Sequence, residues 1–250
     1  MKEIEFISKG KSKLLQLAES WEEVPKKQLP HFLELATRPQ LERDKLLLFL
    51  KRMGVSSAFL RAHPLFMLRE VAKCLAWLND PWSDARSMIP RLWIFYGPKD
   101  FMDRLQLNQL LMAGIYSDKI AAMVEESQPT KKLKLELRRL AAILYTPFGM
   151  GYHYRFHHFY AFLFKVFPGW KINAVSISWM AQRKWLQQQF PKIHNQDQSS
   201  SSDFGPYGLV VDLAGDKFGT IEKVHSMEVI YVMTYLEKTE EQAEKLKAQK

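Results

Sequence analysis

The sequence is poor in cysteine, and this scarcity limits the classes of protein to which the chain can belong. Its 250 residues include a single cysteine, Cys74, so no internal disulfide can form. Small secreted domains often depend on several disulfides, whereas a chain of this length with 47% hydrophobic residues can bury a core without them. Cys74 stands among apolar residues with helical spacing, Val71 to Trp77, so we expect it to be buried rather than reactive.

Long hydrophobic runs are missing as well. The longest apolar stretch, Phe159 to Val166 (FYAFLFKV), contains Lys165 and has less than half of the about 20 residues needed to span a bilayer. The first ten residues mix Glu with Lys and contain no continuous apolar segment of the kind found in secretion signals. We therefore expect no membrane span and a location in the cytoplasm.

The common catalytic and nucleotide-binding motifs are also missing. The sequence contains no G-x-S-x-G, no G-x-x-x-x-G-K-[ST] and no G-x-G-x-x-G. Its nearest glycine-rich segment, Gly149 to Gly151, has no following lysine, and we interpret it as a turn. The carboxylate pairs Asp80/Asp84 and Asp100/Asp103 suit turns and helix starts. We predict that the protein is not an enzyme and needs no cofactor.

One histidine cluster, His153, His157 and His158, is the only candidate for a metal site. In a helix His153 and His157 would be four residues apart on one face, the spacing at which two imidazoles can share a metal. No Asp or Glu lies between Glu136 and Asp197 to act as a nearby third ligand. The alternative is that these histidines form the polar edge of an aromatic-rich helix, and we predict no metal site.

The charge distribution divides the chain at a polar segment, Asn195 to Asp203 (NQDQSSSSD). From Asn195 to Lys250 there are six Lys and Arg and ten Asp and Glu, a net charge of −4. Because the whole chain has a net charge of +9, the rest of it has a net charge of +13. The segment itself contains no apolar residue and four consecutive serines, a composition typical of flexible linkers. We predict a basic, aromatic-rich helical body over 1–194, a linker over 195–203 and an acidic helical segment over 204–250.

The basic body allows a second interpretation, a nucleic-acid-binding module. Lys and Arg gain affinity for nucleic acids by releasing counterions from phosphates. However, the basic residues occur in short clusters beside apolar residues at helical spacing, as on the solvated faces of amphipathic helices. These clusters are Lys9/Lys11/Lys13, Lys26/Lys27, Lys131/Lys132/Lys134 and Arg138/Arg139. Nucleic-acid binding therefore remains the alternative.

Helical periodicity dominates the hydrophobic pattern. One predicted helix includes Leu14 to Ala18, a second begins near Pro30 and a third ends before Gly54. Further helices are predicted over Phe66 to Leu78, Ile89 to Tyr96, Leu105 to Tyr116, Leu133 to Leu144, Tyr154 to Phe167 and Ser176 to Phe190. The predicted fold class is mainly α, an irregular multi-helix bundle with a short C-terminal helical appendage.

The acidic C-terminal segment predicts a helix that can bind a partner. A helix beginning at Thr220 or Ser226 places four apolar side chains on one face, Val229, Ile230, Met233 and Leu236. From Glu237 onward the sequence is almost entirely Glu, Lys, Gln and Ala, which indicates a solvated end. We predict that these four residues form a partner-binding face that docks and releases.

Aromatic residues are abundant, with seven Trp and sixteen Phe. They concentrate between Trp77 and Tyr96 and between Tyr145 and Trp185. Such an excess favours a surface that takes up the apolar helix of a partner. A bulky core explains it equally well.

The order of segments resembles a family of uncharacterised bacteriophage and prophage proteins encoded near tail-morphogenesis genes. The resemblance lies in five segments: Ser20 to Val24 with Lys27-Gln28, Arg91 to Asp103, Phe101 to Tyr116, Leu137 to Pro147, and the acidic stretch Leu209 to Leu236 with its Leu213-Ala214-Gly215 stop. The last of these is similar to small tail-assembly chaperones.

This resemblance implies a non-enzymatic role in tail assembly, either as a chaperone that keeps the long helical tape-measure protein soluble or as a minor tail component. It also implies a location in the bacterial host cytoplasm or in the virion. It assigns no functional residue, and it leaves the oligomeric state open.

Overall fold

The computed structural model confirms the predicted mainly α, multi-helix fold. It describes residues 2–8, 11–25, 27–36, 43–57, 60, 64–79, 85–126, 130–148, 150–194, 208–215 and 218–248. The predicted linker, Asn195 to Asp203, lies outside these described residues.

The chain divides into two compact units, Met1–Trp82 with Pro168–Ala174 and Ser83–Phe167 with Val175–Lys250. The sequence-based division instead separates a body from a C-terminal segment at 195–203. In the structure, the described part of that C-terminal segment shares the second unit with more than half of the predicted body.

The first unit combines a β-hairpin with three helices. Its elements are β1 (Lys2–Ser8), β2 (Lys11–Leu17), α1 (Leu29–Leu35), α2 (Arg43–Arg52), α3 (Pro64–Cys74) and a 3₁₀ turn (Ala76–Asn79). Pro30 lies in the first turn of α1, as predicted. Gly54 follows α2 with φ 84°, and the Val55 N–H donates to the Leu50 carbonyl at 2.9 Å, closing the helix end.

The helix predicted over Leu14 to Ala18 is wrong, because this segment is a β-strand. β1 and β2 pair antiparallel, with Lys2 opposite Leu17 and Ser8 opposite Lys11. Along β2, Leu15 and Leu17 are buried while Leu14 and Gln16 are exposed, which is the period of two expected of a half-buried strand. A short leucine-rich run fits helical and strand periodicity alike, and pairing with β1 decides between them.

The core of the first unit is built from aromatic rings. Phe32 of α1 packs edge to face on Phe49 of α2, with ring centroids 5.0 Å apart, and also lies 5.8 Å from Trp77. Trp21 completes the group with an edge-to-face contact on Trp77 at 5.2 Å. Cys74 is buried here, as predicted.

The second unit contains the longer helices and a small sheet. Its helices are α4 (Leu107–Glu125), α5 (Thr130–Leu144), α6 (His157–Leu163), α7 (Gly169–Gln189, of which the part from Val175 belongs to this unit), α8 (Pro191–His194), α9 (Gly208–Leu213), α10 (Ile221–Ser226) and α11 (Val229–Ala248). Three 3₁₀ turns cover Asp100–Met102, Tyr154–Phe156 and Phe164–Val166. α5 packs against both α4 and α6.

The helix predicted over Ile89 to Tyr96 is also wrong. Two strands, β3 (Arg91–Leu92) and β4 (Phe95–Tyr96), form an antiparallel hairpin, and β5 (Thr146–Pro147) adds a third strand beside β4. The buried residues Leu92 and Phe95 are three positions apart, a spacing that imitates a helix because a two-residue turn separates their strands.

The C-terminal helices are packed onto α4. A buried cluster joins Leu107 of α4 to side chains of α9, α10 and α11 and to Phe218, which precedes α10. The side chains from the three helices are Val210, Leu213, Val224 and Val232. The Thr220 hydroxyl accepts a hydrogen bond from the Lys223 N–H at 3.4 Å, which makes Thr220 the N-cap of α10. Thr220, one of the two predicted helix starts, therefore caps the start of α10. The other, Ser226, lies three residues before the start of α11.

Candidate protein-interaction surface

Four apolar side chains project into solvent from one face of the helical segment 154–166. Phe156, Phe159, Phe162 and Val166 have 51%, 57%, 61% and 78% of their surface exposed. Their spacing of three, three and four residues places them on one side of a helix. We call these four residues the α6 stripe. Exposed apolar groups at this density are unusual on a monomer and mark interaction sites.

The opposite face of the same segment anchors it in the core. His157, Ala161 and Phe164 are buried there at positions i, i+4 and i+7. Phe164 packs edge to face on Phe95 of β4, with centroids 4.9 Å apart, and Tyr160 contacts the same Phe95 at 5.2 Å. These contacts hold the inward face of the segment in the core and leave the α6 stripe in solvent.

A second exposed apolar group lies on the three-stranded sheet and the residues that adjoin its strands. We call it the hairpin patch; its members are Trp93, Ile94, Tyr96 and Phe148, with exposures of 70%, 45%, 38% and 78%. The rings of Tyr96 and Phe148 are 5.4 Å apart, and the Phe148 N–H donates to the Ile94 carbonyl at 3.1 Å. The Arg91 guanidinium lies over the Tyr96 ring at 5.0 Å.

Trp93 has an unusual backbone conformation at the tip of this hairpin. Its φ of 55° lies in the left-handed region, which is uncommon for a bulky L-residue. Strain of this kind persists where the surroundings hold it, and it is enriched at functional positions. The Trp93 side chain is exposed, so it presents a large ring to solvent.

The predicted partner-binding residues of α11 are used within the molecule. Val229 and Met233 are buried, and Ile230 and Leu236 are half-buried. Leu236 packs against the cluster around Leu107. That these four residues bind a partner stays a prediction, and it requires α11 to leave this position.

The histidine cluster is divided by the start of the helix. His153 has an extended backbone and precedes the 3₁₀ turn Tyr154–Phe156, so it does not share a helical face with His157. The buried His157 contacts the Tyr116 hydroxyl at 3.3 Å through Nε2 and the Tyr154 carbonyl through Nδ1. Within the described ranges, no group of three or more His, Cys, Asp and Glu side chains could hold a metal ion.

His158 adjoins this buried histidine and a charged cluster on α5. The His157 and His158 rings are 3.9 Å apart. Burial, followed by the neighbouring His157 and Arg139, lowers the pKa of His158 below its ordinary value of 6.5. The neutral form of His158 is therefore favoured in the folded protein.

A buried carboxylate, Glu136, holds two cations between α4 and α5. Its Oε1 accepts hydrogen bonds from Lys119 Nζ at 2.9 Å and Arg139 Nη1 at 2.8 Å. Its Oε2 is buried and has no hydrogen-bond partner among the described residues. Two cations on one carboxylate make this a structural ion-pair network that fixes the two helices.

The structure partly resolves the two explanations of the aromatic excess. Some rings, such as Trp179 and Phe164, are fully buried, whereas others form the α6 stripe and the hairpin patch. Sequence reasoning placed Phe156, Phe159 and Phe162 on a helix but did not identify them as exposed. Their three-residue spacing indicates that they share one face of a helix, but spacing alone does not indicate whether that face is buried or exposed.

Comparisons with known proteins found no relative: no family model, no curated protein and no solved structure matches this chain. As predicted, no helix in the described part of the chain combines the length and apolar character needed to cross a membrane.

Proposed function

We propose that this protein is a non-enzymatic interaction protein that binds an apolar helical partner on the α6 stripe. We further propose that it acts in phage or prophage tail assembly, as a chaperone of the tape-measure protein or as a minor tail component. It would work in the bacterial host cytoplasm or within the virion. The exposure of Phe156, Phe159, Phe162 and Val166 on one helical face is the observation that supports the proposal.

The size of the stripe fits a reversible interaction. Covering one half-exposed Phe or Val side chain contributes about 1 kcal/mol, so the four together give a few kcal/mol before the costs of association. Reversible binding suits a chaperone, which must shield exposed apolar helices until they assemble and then release them. The link to phage tails rests on the resemblance of segments such as Arg91 to Asp103 and Leu137 to Pro147.

Co-expression with the tape-measure protein encoded by a neighbouring gene tests this proposal. The intact chain should raise the soluble fraction of the tape-measure protein and co-purify with it. The Phe159→Gln/Phe162→Gln variant should fold, because both rings are exposed, and should lose both effects. If the intact chain neither solubilises nor co-purifies with that protein, the proposal is wrong.

Nucleic-acid binding is the second candidate, supported by one specific observation. Lys131, Lys132 and Lys134 are all exposed on the first turns of α5. If this function is correct, the affinity for duplex DNA should fall steeply with salt and should weaken when the three lysines are changed to glutamine. No binding at about 50 mM salt, where such contacts are strong, would exclude it.

A further inference from the structure

We infer that the helix bound by the α6 stripe carries carboxylates beside its apolar face. This inference rests on the proposed function and adds the chemistry of the partner. It follows from two cations that flank the stripe and from the absence of carboxylates in the adjoining sequence.

The chain around the stripe has charges of one sign only. From Leu137 to His194 there is no Asp or Glu, whereas there are eight Lys and Arg. These are Arg138, Arg139, Arg155, Lys165, Lys171, Arg183, Lys184 and Lys192. Three of the eight are paired with carboxylates, Arg139 with Glu136, Arg183 with Asp118 and Lys192 with Glu244, and Lys171 belongs to the first unit. Arg155 and Lys165 lie beside the stripe itself, where positive charge attracts an acidic partner and repels a basic one.

Two of these cations flank the stripe directly. Lys165 precedes Val166, and its Nζ lies over the Phe162 ring, 4.5 Å from the centroid. Arg155 precedes Phe156 and lies 5.7 Å from the ring centroid of Tyr154, whose hydroxyl accepts a hydrogen bond from Arg155 Nε at 3.1 Å. Both side chains are exposed, so a carboxylate on a bound helix can reach them.

Glu136, the carboxylate directly before this region in the chain, does not repel an acidic partner. Glu136 lies on α5, which packs against α6, but its side chain is buried and bonded to Lys119 and Arg139. Its negative charge is therefore balanced by two cations.

The stripe favours a helix over single-stranded nucleic acid. Bases bind aromatic side chains by stacking on an open ring face, and Lys165 already lies over a face of Phe162. The stripe runs from residue 156 to residue 166, which corresponds to about 15 Å or three turns of helix. A partner helix of the same length can cover it completely.

Two synthetic peptides of about 18 residues test the inference. Both place leucines on one helical face; one carries Glu and the other Lys at the positions beside that face. Binding to the intact protein is measured by fluorescence anisotropy at about 50 mM salt. The Glu peptide should bind at least about tenfold more tightly, a difference of about 1.4 kcal/mol. This preference should shrink in about 1 M salt, where the Debye length is about 3 Å.

Variants separate the local charges from the net charge of the protein. The Arg155→Gln/Lys165→Gln variant should lose most of the preference for the Glu peptide. A matched control, Lys27→Gln/Lys51→Gln, removes two exposed lysines of the first unit and changes the net charge equally. It should keep the preference. If the two double variants behave alike, the preference reflects net charge and the inference is wrong.

The outcomes also distinguish this inference from the proposed function. Equal binding of both peptides, lost in Phe159→Gln/Phe162→Gln, would overturn the charge inference and leave helix binding intact. If neither peptide binds, both proposals fail. Binding of a single-stranded oligonucleotide or an anionic lipid vesicle in place of the peptides would assign the stripe to that ligand and overturn both proposals.

Discussion

Gln106 and Glu228 face each other across an antiparallel β-bridge, although they are 122 positions apart in the chain. On either side of the bridge the Leu107 N–H donates to the Met227 carbonyl and the Val229 N–H donates to the Leu105 carbonyl, both at 2.8 Å. These two bonds fix the start of α11 to the start of α4. The acidic C-terminal segment is thus part of the folded second unit.

Deletion of residues 204–250 should therefore destabilise the protein. It removes the partners of the Leu107 cluster and leaves the Leu107 N–H and the Leu105 carbonyl unbonded. We expect loss of near-UV circular dichroism and aggregation on size exclusion. Deletion of only 237–250 removes the Lys192–Glu244 ion pair but no residue of the Leu107 cluster, so it should leave a folded protein. A folded monomer after the longer deletion would show that the segment is a separate appendage.

Two glycines should respond to alanine in opposite ways. A Cβ at Gly97 would lie 2.5 Å from Cζ of the buried Tyr145 ring, whereas a Cβ at Gly114, inside α4, meets no atom within 4 Å. Gly97→Ala should lower the free energy of unfolding by about 1–3 kcal/mol through overpacking. Gly114→Ala should raise it by about 0.5–1 kcal/mol, since alanine favours the helix. Urea denaturation measures both, and equal effects would contradict the packing around Gly97.

The two cations on Glu136 should contribute unequally to stability. The Arg139 side chain is 25% exposed and the Lys119 side chain 50%. Arg139→Gln should lower the free energy of unfolding by about 1–3 kcal/mol, because it weakens the pairing of a buried charge. Lys119→Gln should cost less than about 1 kcal/mol. A larger loss for Lys119→Gln in chemical denaturation would reverse this assignment.

His158 should make stability depend on pH. Its pKa is lower in the folded protein than its ordinary value of 6.5, so the unfolded chain binds the proton more readily. The free energy of unfolding should therefore fall as the pH drops below about 6.5 towards the folded pKa. His158→Gln should remove this part of the decline. Identical pH profiles for the variant and the parent, from denaturation at several pH values, would argue against the assignment.

Trp93 should carry a backbone strain that glycine relieves. At a φ of 55°, a residue with a Cβ costs roughly 1–2 kcal/mol more than in its preferred regions. Trp93→Ala keeps that Cβ, whereas Trp93→Gly removes it. We expect the free energy of unfolding of the Gly variant to exceed that of the Ala variant by about 1 kcal/mol. Equal stabilities would indicate that the hairpin tip is not strained.

Several elements were predictable because their signals are local. Pro30 marks the start of α1, Gly54 the end of α2 and Thr220 the N-cap of α10, and each signal acts on its own helix within a few residues. The long apolar pattern of Leu133 to Leu144 likewise predicts α5 correctly. The two hairpins were missed, because each depends on pairing with another segment, and a short apolar run does not specify its partner.

By itself the sequence determined the mainly α fold class, the positions of most helices, and the excess of positive charge without carboxylates from Leu137 to His194. These properties follow from residue type and spacing alone. Only the tertiary structure decided which face of α6 is buried, because Phe95, which is distant in the sequence, packs against Tyr160 and Phe164. That contact leaves Phe156, Phe159 and Phe162 in solvent, and it turns an aromatic-rich helix into a candidate binding surface.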